Sequence, residues 1–533
     1  SSLHINCGNI YKLYGNSKKA EQSYLKALEI EESKEAHNNL SVIYLDHNNF
    51  KLSVFHSEKA IEIDSDYIDA YYNFALSNEG LQNYSQAIES AKLILENDKD
   101  NSKALILLYR IYQNTCNWPG IKAISKDLDL CLGNGEEHPF LNISRCDNEE
   151  INFIAATSWA KKNQIQNISL PGNQTSNKLK IKIGYICGEF KNHPTYHLTK
   201  NLFMNHDREE FEVYIFSFNH DSDCQEHLKK YVDDFISLND LNEVDAAGFI
   251  NNYNLDILID FSILITNNHI GILKSKPAKK IISYLGYPGT SGHSCYDYLL
   301  TDKIVTPENN QKFYTEKFLY LSKCYQINDG VTKFSKSTLS KKDHGLPENR
   351  FIMSCFNQSF KIDKEMFDCW VEILKSLPDA IIWLLEDNLD AKKNILEYIK
   401  EIDISPDKFI FAKRVSRTDH MDRIKLADVA LDTRIYNGHT TTTDALQSLI
   451  PVVTLTGHHF ASRVSTSLLE SANLTELSCK SLEEYKQKVI EIYKNKDYKA
   501  KLITKLSSID SKNNFYDTKA FVRDLESLYR KII

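Results

Sequence analysis

The sequence predicts a multidomain chain: an N-terminal all-α superhelix followed by two α/β halves, each built on a parallel sheet. Three observations carry this. Ala36, Ala70 and Ala104 recur at a spacing of 34 residues within an unbroken helical pattern. From about residue 179 short apolar strands alternate with helical patterns, which requires parallel sheets covered on both faces. That alternation runs twice, on either side of a polar stretch at 329–350 rich in Ser, Lys, Asp and Gly.

In the first region, Gly8, Tyr11, Ala20, Tyr24 and Ala27 are echoed by Ser41, Tyr44, Ser53, Ser57 and Ala60. A third echo is Ala75, Asn78, Ala87, Ala91 and Ile94. Small residues at these places let antiparallel helices approach closely. The period and pattern resemble tetratricopeptide repeats, three of them plus a partial fourth, over residues 1–113. Residues 114–178 read as a helical transition: Trp118-Pro119 interrupts the helical run, Ile151–Lys162 is helical, and 171–177 is a linker.

The first α/β half, 179–330, has strands expected at Leu179–Ile186, Phe211–Phe218, Leu255–Phe261, Lys280–Leu285, Tyr298–Asp302 and Phe318–Leu321. The second, 331–533, has strands expected at Phe351–Phe356, Ala380–Leu385, Lys408–Phe411, Val429–Leu431 and Val452–Leu455. Helices follow from about Ser481 to the end. The two halves read as twin Rossmann-like domains with a cleft between them, and ligands of such sheets bind beyond the carboxyl ends of the strands.

Composition narrows the function. Net charge is −8 with no long basic block, so bulk nucleic-acid binding is not expected. No apolar run approaches the length of a membrane span. The 11 cysteines form no CxxC pair, which points to a reducing, cytoplasmic setting without a zinc ribbon. The first residue is not methionine, so a segment ahead of Ser1 is expected to have been removed.

The most informative stretch is Tyr436-Asn437-Gly438-His439-Thr440-Thr441-Thr442-Thr443-Asp444, between a strand and a helical pattern. A helix start offers unpaired N–H groups and a positive dipole end, and Thr hydroxyls add donors. That is chemistry for a phosphate, although Thr440 and Thr441 would also serve as plain helix caps. Lys361, in Phe356-Asn357-Gln358-Ser359-Phe360-Lys361, lies just past a strand; taken alone it reads as a solvated lysine at a helix start, and the functional alternative is a point charge for a phosphate. His193 precedes Pro194, which suits the first turn of a helix; the histidine is either a cap or an acid–base group at the cleft mouth. The loop Leu285–Gly292, with three glycines, is expected to make tight turns and to let its backbone approach something closely. Arg417, His420 and Arg423 share a helix face that is also consistent with simple solvation. Asp221-Ser222-Asp223 is a carboxylate pair better read as surface than as a metal site.

These segments, Gly188–His197, Leu285–Gly292, Phe356–Lys361, Leu426–Val429 with Leu431–Thr433, Asn437–Thr441 and Ala461–Val464, together resemble the O-linked N-acetylglucosamine transferases. That family joins tetratricopeptide repeats to a two-domain GT-B glycosyltransferase, and the direct linkage of the halves is similar to bacterial members. The resemblance implies inverting transfer of a sugar from UDP-N-acetylglucosamine to Ser or Thr hydroxyls of polypeptides bound along the repeat groove. It implies no metal and no resident cofactor. Gln358 and Lys361 would contact the diphosphate, with Lys361 helping the leaving group depart. His439, Thr440 and Thr441 would form the phosphate turn and Asp444 would bind the ribose. Val415 and Arg417 would frame the base, flanked by His420 and Arg423, and His193 would lie near the reacting sugar. Departures are Arg417 for a lysine, Phe360 for a tyrosine, Gly248 for an acid, Tyr436 for a smaller residue, and a 261–269 segment without an expected lysine and arginine. They leave the phosphate site intact and acceptor activation and sugar choice open. The alternatives are a glucose or fucose donor, and a repeat scaffold whose transferase half binds nucleotide without turnover.

Overall fold

The structure, a computed structural model, describes residues 1–533 except 165–168, 172–179, 266–267, 329–338 and 510–514. Most of the linker expected at 171–177 lies outside the described residues. The chain divides into two compact units, one of Ser1–Leu132 with Asn388–Asn394, the other of Gly133–Asp387 with Ile395–Ile533.

The first unit is a stack of helical hairpins: Ser2–Leu13 with Ser17–Ile30, Lys34–Asp46 with Phe50–Ile63, Ile68–Gly80 with Tyr84–Asn97, and Ser102–Asn114 with Trp118–Leu130. Asparagine caps recur before second helices: Asn16, Asn49 and Asn117 each accept a backbone N–H through the side chain. The small positions are buried, as expected for close helix packing, and Ser53 donates to the Ser41 carbonyl at 2.7 Å. The fourth hairpin is complete, which corrects the boundary at 113. Pro119 starts the helix Trp118–Leu130 instead of interrupting one, because a first-turn proline forgoes no internal hydrogen bond.

The second unit carries two parallel sheets. The strands are β1 (Ile181–Cys187), β2 (Phe211–Ser217), β3 (Asp234–Ser237), β4 (Leu255–Asp260), β5 (Ala278–Ser283), β6 (Tyr298–Thr301), β7 (Lys317–Tyr320), β8 (Phe351–Cys355), β9 (Ala380–Leu385), β10 (Phe409–Ala412), β11 (Val429–Leu431), β12 (Val452–Leu455) and β13 (Ser478–Cys479). The orders are β3-β2-β1-β4-β5-β6-β7 and β10-β9-β8-β11-β12-β13. Both sheets therefore reverse direction of winding at the first strand, between β1 and β4 and between β8 and β11. The edge strands β3 and β13 are additions to the sequence reading. Each has at most two consecutive apolar residues, too few to stand out as a strand pattern.

The halves are tied by buried polar contacts. Ser467 donates to Asp302 at 2.6 Å, and Gln326 donates to Thr443 at 2.8 Å. The last helix, Thr518–Ile532, returns to the first half, where Glu526 meets His206 at 2.9 Å and Arg530 meets Glu210. The helix Glu149–Lys162, from the segment read as transition, also belongs to this unit. Its Glu149 accepts from Tyr314, and Asp147 just ahead of it accepts from the backbone of His458 at 2.7 Å.

Candidate functional site

The carboxyl ends of β8 and β11 lie side by side, with Met353 opposite Val429 and Ser354 opposite Ala430. This is the switch point of the second sheet, where open α/β sheets bind ligands. Past β8 the chain makes a single 3₁₀ turn, Ser359–Lys361, then the helix Lys364–Ser376 capped by Asp363. That helix forms there because Met366, Phe367, Trp370, Val371, Ile373 and Leu374 make one buried stripe. Past β11 the chain turns through 432–439 into the helix Thr440–Gln447.

A buried carboxylate organises this turn. Asp432 accepts from the Gly438 backbone N–H at 2.6 Å, from Thr454 at 2.6 Å and from Asn357 at 3.3 Å. Gly438 is required, since a Cβ there would stand 2.5 Å from the Thr442 hydroxyl oxygen. Asn357 in turn accepts from Thr441 at 2.7 Å. A cavity of about 20 Å³ remains between these groups, lined by Ser354, Asn357, Asp432, Thr441 and Thr442.

Lys361 is brought onto this turn. Its Nζ donates to the Asn437 carbonyl at 2.9 Å and stands 4.3 Å from the centre of the Tyr436 ring. Burial pushes its pKa down to about 8, against the pull of Asp432. His439, the residue before the helix, stacks on Tyr436 with centroids 5.0 Å apart. Burial and the Lys361 charge hold it well below the usual histidine range, so it is neutral at pH 7, and its Nε2 is buried without a partner. Thr440 opens the helix beside it. Lys361, His439, Thr440 and Thr441 thus lie around one turn.

A second cluster lies one helical turn on. Arg417 forks onto Asp444 with nitrogen–oxygen distances of 2.8 and 3.2 Å. Asp444 is buried, and desolvation raises its pKa even though Arg417 opposes it. A ribose hydroxyl and a base would therefore have to share or replace this pair. Arg423 donates to His420 at 3.3 Å and packs its guanidinium 4.8 Å from the Phe356 ring. Burial lowers Arg423 to about 10 and His420 to about 4. On that face Arg423 is buried against the Phe356 ring, which His420 also meets edge-on, while Arg417 stays partly exposed. Gln358 and Val415 are exposed; Gln358 accepts the Lys361 backbone N–H at 3.0 Å.

The first half contributes less. His193 is the cap of the helix Pro194–Thr199, its Nδ1 accepting from the Thr195 N–H at 3.3 Å. Burial lowers its pKa, opposed by Glu189. The loop Leu285–Gly292 does approach something closely, but that something is protein: a Cβ on Gly286 would lie 2.0 Å from the Phe261 carbonyl oxygen. Asp221 precedes the helix Ser222–Leu228 and accepts from Asn192 at 3.0 Å. Among the described residues no group of three His, Cys, Asp or Glu side chains could hold a metal ion.

Several participants were not singled out in the sequence. Asp432 and Asn357 shape the turn, yet an acid and an amide at strand ends look unremarkable in one dimension. Phe140, in the segment read as transition, packs 5.8 Å from Tyr436 and 5.9 Å from Phe360. Only its apolar position on a short helix could have marked it.

Comparison with known proteins bears on the family and the fold. The model for glycosyl transferase family 41 matches residues 161–341 and 334–525, and a tetratricopeptide repeat model matches 1–34 and 35–67. An Arabidopsis thaliana protein named as a probable UDP-N-acetylglucosamine–peptide N-acetylglucosaminyltransferase is 33% identical over 371 residues, covering 68% of this chain and 38% of the relative. A Caenorhabditis elegans UDP-N-acetylglucosamine–peptide N-acetylglucosaminyltransferase is 24% identical, covering 66% and 40%. The chain thus spans about 40% of the length of these relatives. A Thermobaculum terrenum O-GlcNAc transferase mutant shares the fold, with a TM-score of 0.73 at 22% identity, over 100% of this chain and 96% of that one.

Proposed function

The chain belongs to glycosyl transferase family 41, and from that premise we propose that it transfers N-acetylglucosamine from UDP-N-acetylglucosamine to Ser or Thr hydroxyls of polypeptides, with inversion. The observation that carries this reading is the Lys361 ammonium held beside the start of the helix Thr440–Gln447. The hydroxyl oxygen attacks C1 of the sugar as the bond from C1 to the diphosphate oxygen breaks. UDP leaves with that electron pair, and the growing negative charge meets Lys361, the Thr440 and Thr441 donors and the helix N-terminus. The hydroxyl proton needs an acceptor. His193, kept neutral by burial and with Nδ1 engaged as a cap, offers Nε2.

Gln358 lies beside the diphosphate in this reading, Asp444 and Arg417 take the ribose and base, and Val415, His420 and Arg423 enclose the base. The UDP-sugar is a substrate; no metal or resident cofactor takes part. The repeats hold the acceptor polypeptide in their groove, and the cysteines, all free, suit a cytoplasmic setting. No helix among the described residues is long and apolar enough to cross a membrane.

The test is nucleotide release from UDP-N-acetylglucosamine, UDP-glucose and GDP-fucose, with and without cell lysate and with and without a chelator. Lysate-stimulated release from UDP-N-acetylglucosamine, unaffected by chelator, is expected. Release from another donor only would replace the sugar, and tight UDP binding without release from any donor would favour a scaffold. Tyr436 is the observation behind a second sugar, since its ring lies against Lys361.

A further inference from the structure

We propose that the face of the Tyr436 ring positions Lys361 and keeps its ammonium charged in a partly buried site, making Tyr436 a positioning residue for the leaving-group lysine. The kinetic part rests on the function proposed above; the charge and placement of Lys361 do not.

Three observations support it. The Lys361 ammonium is 4.3 Å from the Tyr436 ring centre, inside the range in which an aromatic face attracts a cation. The next residue supplies the one hydrogen bond shown for that ammonium, from Nζ to the Asn437 carbonyl. One dipeptide thus fixes the cation from two directions. The ring is itself held, 6% exposed, with Phe360 packed edge-on at 5.9 Å and Phe140 behind it at 5.8 Å.

The electrostatics fit this placement. The ionisable groups around Lys361 are Asp432, which favours the charged form, the Cys355 thiol, pushed up to about 12 by burial, His439, held neutral, and Tyr436 itself, raised by burial. Asp432 is the one carboxyl among them, and burial raises its pKa against the hydrogen bonds it accepts. Its oxygens are shared among Gly438, Thr454 and Asn357. Among the described residues the ammonium has no carboxylate partner of its own, so no ion pair has to break before it meets a phosphate. Lys361 is partly buried, and there the quadrupole of an aromatic face stabilises charge without a counter-ion that would compete with the substrate.

The experiment compares Tyr436→Phe, Tyr436→Leu and a near-isosteric 3,4,5-trifluorophenylalanine at position 436. Two profiles are read against pH: acylation of Lys361 by acetic anhydride, followed by mass spectrometry, and kcat at saturating donor. Wild type and Tyr436→Phe should share a limb near pH 8. The other two lose the negative face without admitting water, so the charged form is less favoured and the limb moves down by about one pH unit. At pH 7.5 the charged fraction, and kcat with it, should fall about threefold, approaching tenfold above pH 8. Should Tyr436→Leu fail to fold, the fluorinated ring, which keeps the size, carries the test. An unmoved limb, or one moving to higher pH, overturns the proposal, as does a Tyr436→Phe variant that behaves like Tyr436→Leu. If wild type transfers no sugar, the acylation profile still decides the placement, so failure of the function is told apart from failure of this inference.

Discussion

The two α/β halves wind in the same order through their first six strands, yet only one presents a cation and a helix start to a common point. In the second half, the loops after β8 and β11 bring together Lys361, His439 and Thr441 around the buried Asp432. In the first half, the equivalent position after β4 is occupied by Asp260, which spends its oxygens on its own loop. It accepts from the Ser262 and Ile263 backbone N–H groups at 2.8 and 3.0 Å and from Tyr296 at 2.6 Å. Past β1 stands His193, a neutral cap, where the second half has a lysine. Shared winding therefore fixes where a site can form, and the polar side chains at the switch point decide whether it holds an anion.

That contrast predicts a large electrostatic role for the second half. Lys361→Met keeps the stem and removes the charge. Turnover at saturating donor should fall on the order of 100- to 1000-fold, about 2.7–4 kcal/mol of transition-state stabilisation. UDP affinity, measured by calorimetry, should fall far less, because the helix start and Asp444 remain. Retention of more than about a tenth of the rate, a loss under ~1.4 kcal/mol, would remove Lys361 from the leaving-group role.

The first half is tested through His193. His193→Phe should lower transfer to peptide by about 100-fold, the lower end of what a general base contributes, with UDP binding unchanged. A loss exceeding that of Lys361→Met would reverse the ranking of the two halves.

pH sharpens the same comparison. Lys361 is cationic below its pKa of about 8, so kcat should fall about tenfold per pH unit above that point. His193 has its pKa lowered, so its basic form is lost only as pH falls below the ordinary histidine range near 6.5. An alkaline limb absent in wild type would mean the lysine is not the titrating group, and one surviving in Lys361→Met would say the same.

The smallest effect concerns sugar choice. Tyr436→Ala opens space beside Lys361 and should raise the kcat/KM ratio of UDP-N-acetylglucosamine to UDP-glucose by about tenfold or less. Any general damage to Lys361 cancels in that ratio. An unchanged ratio would show that the ring faces another part of the donor.

The repeats, the two α/β halves and the strand-to-helix turn at 436–444 were legible in the sequence because each depends on local pattern. A 34-residue period, alternating strands, and a Gly-His-Thr-Thr run before a helix need no knowledge of distant neighbours. The fourth hairpin was cut short because Pro119 reads as a breaker, and only the Asn117 cap shows that it begins a helix. Residue types marked Lys361 and Thr440 as candidates to meet an anion. The tertiary structure decided that Arg417 would meet Asp444, 27 positions away, and that Phe140 would back a ring at 436. It also decided that Asp432 would serve as the hub of the turn. The physical reason is that pairing, burial and desolvation are properties of the space between elements. A sequence states which groups can carry charge or donate a hydrogen bond. Packing alone sets which are dry, which are paired, and which, like Lys361, remain available to a substrate.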